Sequence, residues 1–260
     1  MFKLKKVVVV VGGAKGIGAE VVEQVINLFD YVVVFDYNEL ELEKRTAIMR
    51  EKGYTIFPYC VDIRDRQKVQ SSIQQIEENI GAINTLIHVA GILYPGAICD
   101  FEEEDWKNTF DINVTGVFNV TQAVSRFMKE RHDGVIVTVG SNAASVPRLG
   151  LGVYAASKAA TVMYTKCLGL ELAQYNIRCN TVSPGSTYTD MQTSLWTSDL
   201  SEYDVIKGDL SSFKVGIPLK KLAKPSDIVS VILFLISEQA NHITMSNLVV
   251  DGGATLGSYA

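Results

Sequence analysis

Seven short runs of apolar, mostly β-branched residues recur along this chain, and a segment of helical periodicity follows each of the first six. The strand candidates are Val7–Val11, Tyr31–Phe35, Thr55–Tyr59, Thr85–Val89, Val135–Val139, Arg178–Val182 and Asn247–Val250. The helical segments are Gly16–Phe29, Glu39–Lys52, Arg66–Ile80, Glu104–Arg131, Tyr154–Tyr175 and Ser226–Ser237. The strand runs stay apolar instead of alternating, as expected where helices cover both faces of a sheet. The alternation therefore predicts an α/β fold, a doubly wound parallel sheet of about seven strands flanked by helices.

A chain of 260 residues has room for one large α/β domain or two small ones. No linker, internal boundary or repeat divides it, so residues 1–260 are expected to form a single domain. With 47% apolar residues the chain can bury a substantial core. One interval breaks the rhythm. Ser186–Pro218 is long, polar and aromatic, with no strand of its own, and is expected to act as a lid over the site.

A net charge of -5 argues against the extended basic surface that nucleic acid requires. Cys60, Cys99, Cys167 and Cys179 are widely spaced, with no C-x-x-C pair, and read as free thiols in a reducing compartment; no metal site is expected. The start "MFKLKKVVVVVGG" places positive charge before an apolar run, but five valines are too short for a signal core. No span reaches membrane length. A cytoplasmic location is the expectation.

The first strand runs into "VVVVVGGAKGIGAEVV", where Gly12, Gly16 and Gly18 follow a strand and open a helix. Glycine lets the backbone approach a pyrophosphate, and the helix N-terminus supplies free N–H groups and the positive dipole end. Gly12, Lys15, Gly16, Ile17 and Gly18 are thus candidate cofactor contacts, although the G-x3-G-x-G spacing differs from G-x-G-x-x-G. The second strand runs on to Asp36, placed to accept hydrogen bonds from an adenosine ribose and to repel a 2′-phosphate. A helix N-cap is the competing role, but Asn38 and Glu41 offer a capping pair of their own. Lys15 pulls toward a 2′-phosphate; the carboxylate, facing that phosphate directly, outweighs it. NAD is expected over NADP. Asp62 either touches the adenine or ends the third strand. Ala90 and Gly91, closing the fourth strand, permit close cofactor contact.

Ligands of open α/β sheets sit beyond the carboxyl ends of the strands. Ser141 lies just past the fifth strand, and Tyr154 begins the next helical segment with Lys158 one turn on, along the same face. Asn113 falls on the apolar stripe of Trp106, Phe110, Val117 and Val124, where an amide needs a specific partner. These residue types suit hydride chemistry. Oxidising an alcohol requires a base for the hydroxyl proton. A phenol, ordinarily of pKa about 10, needs nearby positive charge to serve near neutrality. Lys158 and an oxidised nicotinamide would supply that charge, Ser141 would orient the substrate oxygen, and Asn113 would hold a water between Lys158 and solvent. Singly, each residue has an ordinary structural explanation; together and in this order they read as a catalytic set.

With these residues in place, the chain resembles the short-chain dehydrogenase/reductase family over essentially its whole length. The resemblance rests on the glycine turn, Asp36, Asp62, Asn113, Ser141, Tyr154-x3-Lys158 and "SPGSTYTD". It implies a Rossmann-type fold, with Pro184 and Gly185 flanking the nicotinamide and Thr189 binding its carboxamide or the phosphates. It also implies a homo-oligomer, usually a tetramer, with the helices carrying Asn113 and Tyr154 at an interface. "VSPGSTYTDMQTSLW", "GIPLKKLAKPSDI" and "VVDGGATLG" are similar to members that oxidise a carboxylated cyclohexadiene diol to a catechol acid for siderophores. A carboxylate substrate calls for a cation, and Arg148 lies between Ser141 and Tyr154; it fits either substrate binding or an ordinary surface position. Met191, Gln192 and Trp196 fit a pocket wall, with core packing the competing role for the apolar ones.

Two departures from the family pattern stand out. Val11 replaces a usual threonine, and His88-Val89 stands where Asn-Asn or Asn-Ala is common; His88 reads as a satisfied core histidine. The rival readings are a 3-oxoacyl thioester reductase using NADPH and a non-catalytic NAD-sensing protein. Asp36 opposes the first, and the presence of both Tyr154 and Lys158 opposes the second.

Overall fold

Strand β1 (Val7–Val11) is five consecutive valines, all buried. Its odd-numbered valines pack with Ile73, Val120 and Met128 on one face of the sheet, and its even-numbered ones with Val22, Ile232 and Leu235 on the other. Each buried valine contributes about 1.5–3 kcal/mol relative to exposure, which is why the run shows no alternation. A computed structural model describes residues 6–196 and 201–256. The charged start at 1–5, positions 197–200 of the expected lid and the last residue of "VVDGGATLG" lie outside the described residues.

The other strands are β2 (Tyr31–Asp36), β3 (Ile56–Cys60), β4 (Ile83–His88), β5 (Gly134–Val139), β6 (Ile177–Pro184) and β7 (Asn247–Val250). All pair in parallel in the order β3-β2-β1-β4-β5-β6-β7. The chain is thus an α/β protein with one doubly wound, seven-stranded parallel sheet. Pro58, which lacks an N–H, is accommodated because β3 is an edge strand. The order reverses between β1 and β4, so a crevice opens at their carboxyl ends.

The α-helices described are α1 (Gly16–Val25), α2 (Glu39–Glu51), α3 (Arg66–Asn79), α4 (Glu103–Phe110), α5 (Val117–Arg131), α6 (Gly152–Leu172), α7 (Asp190–Thr193), α8 (Glu202–Lys207) and α9 (Pro225–Ile236). Three boundaries correct the sequence reading. Helix α1 stops at Val25, short of Phe29, because the chain must turn to let Tyr31 N donate to Lys6 O and start β2. Strand β4 begins at Ile83, where Asn84 Oδ1 accepts from Val7 N across the sheet. The segment expected as one helix over Glu104–Arg131 carries a π-helical stretch, Asp111–Gly116, between α4 and α5. That stretch turns the face of the helix. Trp106 and Phe110 stack on each other at 4.6 Å with Trp106 exposed, while Val117 and Val124 are buried, so the four form no common stripe. The interval 186–218 holds the short helices α7 and α8.

Candidate active site

The carboxyl ends of the strands open into a cleft of about 1160 Å³. At one end lies the glycine turn. Gly12 adopts φ +78, and a Cβ there would meet Ala90 Cα at 2.7 Å. A Cβ on Gly18 would lie 1.9 Å from Gly12 O, so only glycine lets α1 start this close to β1. Gly12, Lys15, Gly16 and Ile17 line the cleft; Gly18 is buried behind it. Helix α1 has no side-chain cap at Lys15, which leaves its first N–H groups for a bound anion. The cradle fits a dinucleotide pyrophosphate.

Asp36 ends β2 at the cleft and is not the unengaged carboxylate the sequence suggested. Its Oδ2 accepts from Ala14 N and its Oδ1 from Asn38 N, both at 3.0 Å, which fixes the carboxylate against the glycine turn. Asn38 caps α2 through Glu41 N, as expected. Lys15 is engaged too, with Nζ 3.5 Å from Glu41 Oε1. Asp62 lines the cleft but is held by Arg64, whose guanidinium donates to both carboxylate oxygens and keeps the Asp62 carboxyl below its ordinary range. Arg64 continues to Asn108, and Asn108 to the Tyr94 hydroxyl. This chain of contacts joins residues far apart in sequence, so spacing gave no sign of it.

Ser141, Tyr154 and Lys158 meet in the middle of the cleft. Ser141 follows β5 and accepts from Ala143 N at 3.1 Å. Tyr154 and Lys158 lie on α6, both buried, with Lys158 Nζ donating to Val139 O at 2.9 Å and lying 5.9 Å from the Tyr154 ring centre. Burial pushes the Tyr154 phenol above its ordinary value, against the downward pull of its hydrogen bond with Ser141. Burial pushes Lys158 down to about 8, so it is still mostly cationic at neutral pH. In the chain by itself the phenol is therefore protonated, and base chemistry depends on added positive charge.

Asn113 sits in the π-helical stretch, fully buried and off the cleft wall. Its amide is occupied: Oδ1 accepts from Ile92 N at 2.8 Å, and Nδ2 donates to Ile92 O and Ser157 Oγ. Thr161 Oγ1 donates to its main-chain carbonyl. The side chain clamps the segment after β4 instead of standing free to hold a water. A Cβ on Gly91 would lie 3.1 Å from both Asn113 Oδ1 and Lys158 Nζ, so that glycine lets clamp and ammonium close together. His88 is a core histidine but not a satisfied one. Its Nε2 is buried without a hydrogen-bond partner among the described residues, as are Thr138 Oγ1 and Thr181 Oγ1, which align with it across β4, β5 and β6. Burial, helped by the charge of Lys158, pushes His88 down to about 3 and keeps it neutral.

Ala90, Gly91, Pro184, Gly185 and Thr189 line the cleft between its two ends. Thr189 caps α7 through Gln192 N, and its methyl lies against Gly16, bringing the start of the 186–218 interval over the glycine turn. Met191, Gln192 and Arg148 line the cleft as well. Trp196 does not line the cleft; its ring packs edge-on against Tyr188. Arg148 is half-buried and donates to Ala254 O at 3.3 Å, with no carboxylate within ion-pair distance among the described residues. Two neighbours went unnoticed in sequence. Asp251 Oδ2 accepts from Asn142 Nδ2 and Thr255 N, tying the C-terminal turn beside Arg148. Asp251 follows β7 in "VVDGG", and the carboxylate at a strand end was the available signal.

Known proteins bear on this site. A family model described as short chain dehydrogenase matches residues 6–199. A 2,3-dihydro-2,3-dihydroxybenzoate dehydrogenase of Bacillus subtilis (strain 168) is 52% identical over 97% of each chain. One of the same description from Escherichia coli (strain K12) is 42% identical over 96% of each. The crystal structure of a gluconate 5-dehydrogenase from Burkholderia cenocepacia, in complex with NADP and tartrate, superposes with a TM-score of 0.88 at 28% identity. That likeness covers 97% of this chain and 96% of that one.

Proposed function

The chain belongs to the short-chain dehydrogenase family, and on that premise we propose that it oxidises 2,3-dihydro-2,3-dihydroxybenzoate to 2,3-dihydroxybenzoate with NAD. The observation that carries the reading is the meeting of Ser141, Tyr154 and Lys158 in one cleft with a half-buried Arg148. The glycine cradle, Asp36, Ala90, Gly91, Pro184, Gly185 and Thr189 would hold the dinucleotide. When bound, its nicotinamide accepts the hydride and adds positive charge.

Arg148 engages the substrate carboxylate, a task suited to its planar fork of donors. Ser141 donates to the oxygen of the reacting ring alcohol and turns its proton toward Tyr154 Oη. Tyr154 takes that proton as the hydride leaves the ring carbon. Lys158, held by Val139 O, stabilises the phenolate that does so. The ketone formed on the ring tautomerises to a catechol, and aromatisation makes the step one-way. Residues 186–218 act as a lid, a role supported by Met191 and Gln192 in the cleft wall and by Thr189 against Gly16.

NAD is favoured over NADP because the fixed Asp36 carboxylate opposes a 2′-phosphate. Exposed Met163 and Leu170 on α6 and Trp106 on α4 support assembly through these helices into a homo-oligomer, read as a tetramer. No helix among the described residues is long and apolar enough to cross a membrane. The four cysteines are free thiols, in keeping with the cytoplasm as the place of action. The test is to supply 2,3-dihydro-2,3-dihydroxybenzoate with NAD and follow both products. NADH and 2,3-dihydroxybenzoate should appear in equal amounts. NAD binding without turnover would leave the scaffold standing and overturn the substrate.

A further inference from the structure

The nucleotide end of the cleft holds two cationic side chains, and each is engaged by a carboxylate. Arg64 donates to both oxygens of Asp62, and Lys15 lies 3.5 Å from Glu41. Asp36 is a third carboxylate, with no ion pair among the described residues; both its oxygens accept main-chain N–H groups, one of them from Ala14 beside Lys15. All five residues line the same end of the cleft. Their formal balance is two positive against three negative charges.

Lys15 is the residue that conflicts with an NAD-specific site. It stands in the glycine turn, its side chain is 52% exposed, and nothing encloses it. An unpaired ammonium there would offset Asp36 and favour a ligand carrying an extra phosphate. Glu41 is placed to prevent this. Its main-chain N–H is capped by Asn38 Oδ1, and the same Asn38 donates its own N–H to Asp36. The glutamate is therefore fixed in register with the ribose-facing carboxylate at the first turn of α2.

We propose that Glu41 is a specificity-determining residue, holding Lys15 away from a 2′-phosphorylated dinucleotide so that the carboxylate of Asp36 decides the choice of cofactor. The proposal rests on the NAD reading above. An exposed ion pair of this kind adds little to stability, because solvent screens it and ordering two long side chains costs entropy. Its effect on a doubly charged ligand is larger. With Lys15 paired to Glu41, the 2′-phosphate meets one available ammonium fewer than it would without Glu41. At surface dielectric values this amounts to about a five- to tenfold bias. Raising salt should erode that bias, since the groups are exposed.

The test is a double-mutant cycle read by calorimetric binding of NAD and of NADP to the full chain without substrate. In Glu41→Gln the ratio of NADP to NAD affinity should rise about five- to tenfold, and in the Lys15→Met background the same substitution should leave the ratio unchanged. An unchanged ratio in Glu41→Gln overturns the proposal. So does an equal rise with Lys15 removed, which would make Glu41 act on the phosphate directly. The unmutated protein tests the NAD reading separately: tighter NADP than NAD binding would overturn that reading, while the cycle still reports whether Glu41 acts through Lys15.

Discussion

The two ends of the cleft are made of different material. At the nucleotide end the cradle itself is main chain, a glycine turn and the first N–H groups of α1, beside a carboxylate pinned by Ala14 N and Asn38 N and a rim of charged side chains. At the chemistry end it is side chain: Ser141, Tyr154, Lys158 and Arg148, held by a buried lattice of polar contacts through Asn113, Ser157 and Val139. A surface of main chain is damaged by added volume, because a Cβ has nowhere to go. A surface of side chains is damaged by altered functional groups, even where volume is kept. The same cleft should therefore fail in two distinguishable ways.

The largest effect should come from Tyr154→Phe, which keeps the ring and removes the proton acceptor. Turnover should fall by about 10²–10⁴-fold, with NAD binding by calorimetry changed less than about twofold; an equal loss of binding would erase the distinction between the ends. Gly18→Ala tests the other side. Its methyl would meet Gly12 O at 1.9 Å, so the turn must move. NAD binding and thermal stability should drop together, by about 1–3 kcal/mol for the latter, and a variant that binds normally would show the turn to be deformable. Arg148→Met should raise KM for the diol acid about tenfold or more, the scale of a charged hydrogen bond, with NAD affinity retained. An unchanged KM would remove Arg148 from the substrate end.

The smallest effect at neutral pH should be that of His88→Asn, at the strand between the two ends. The folded chain depresses the His88 pKa from 6.5 to about 3, so between those values the unfolded chain binds the extra proton. The associated stability is fully present above about pH 6.5 and is lost as pH falls toward about 3. Chemical denaturation across that range should show the acid slope flattened in His88→Asn, by on the order of a few kcal/mol at its lower end. An identical slope would mean that other groups set the acid limit.

The difference between the two ends also explains what could be read in advance. The β1 valines, the glycine turn and Asp36 follow one another in sequence, and local rules suffice for them. Tyr154 and Lys158 were legible because one helical turn separates them. The partners of those residues were not. Arg64 reaches Asn108 and Asn142 reaches Asp251 only because the sheet order brings distant segments to one edge. The ion pair of Lys15 and Glu41 depends on β1 and β2 being neighbours. Trp196 read as a pocket wall because it is apolar and lies in the lid interval, but nothing local shows that its ring turns to Tyr188. The π-helical stretch has no residue signature either: "FDINVTGVF" offers good α-helical periodicity, and only the need to place Asn113 against Ile92 and Ser157 reveals the extra residue.

That extra residue makes chain length, as distinct from chain composition, a working part of the site. One residue turns an α-helix by about 100°, so the stretch at Asp111–Gly116 acts as a phase shift between the solvent-facing half of the long helix and its buried half. Removing a single residue there would relax the wide turn into ordinary α-helix and leave the helix content almost untouched. It would also rotate the Trp106–Phe110 pair out of phase with Asn113. The segment should thus tolerate many changes of letter and almost no change of count, and a deletion scan read by circular dichroism beside activity would separate the two.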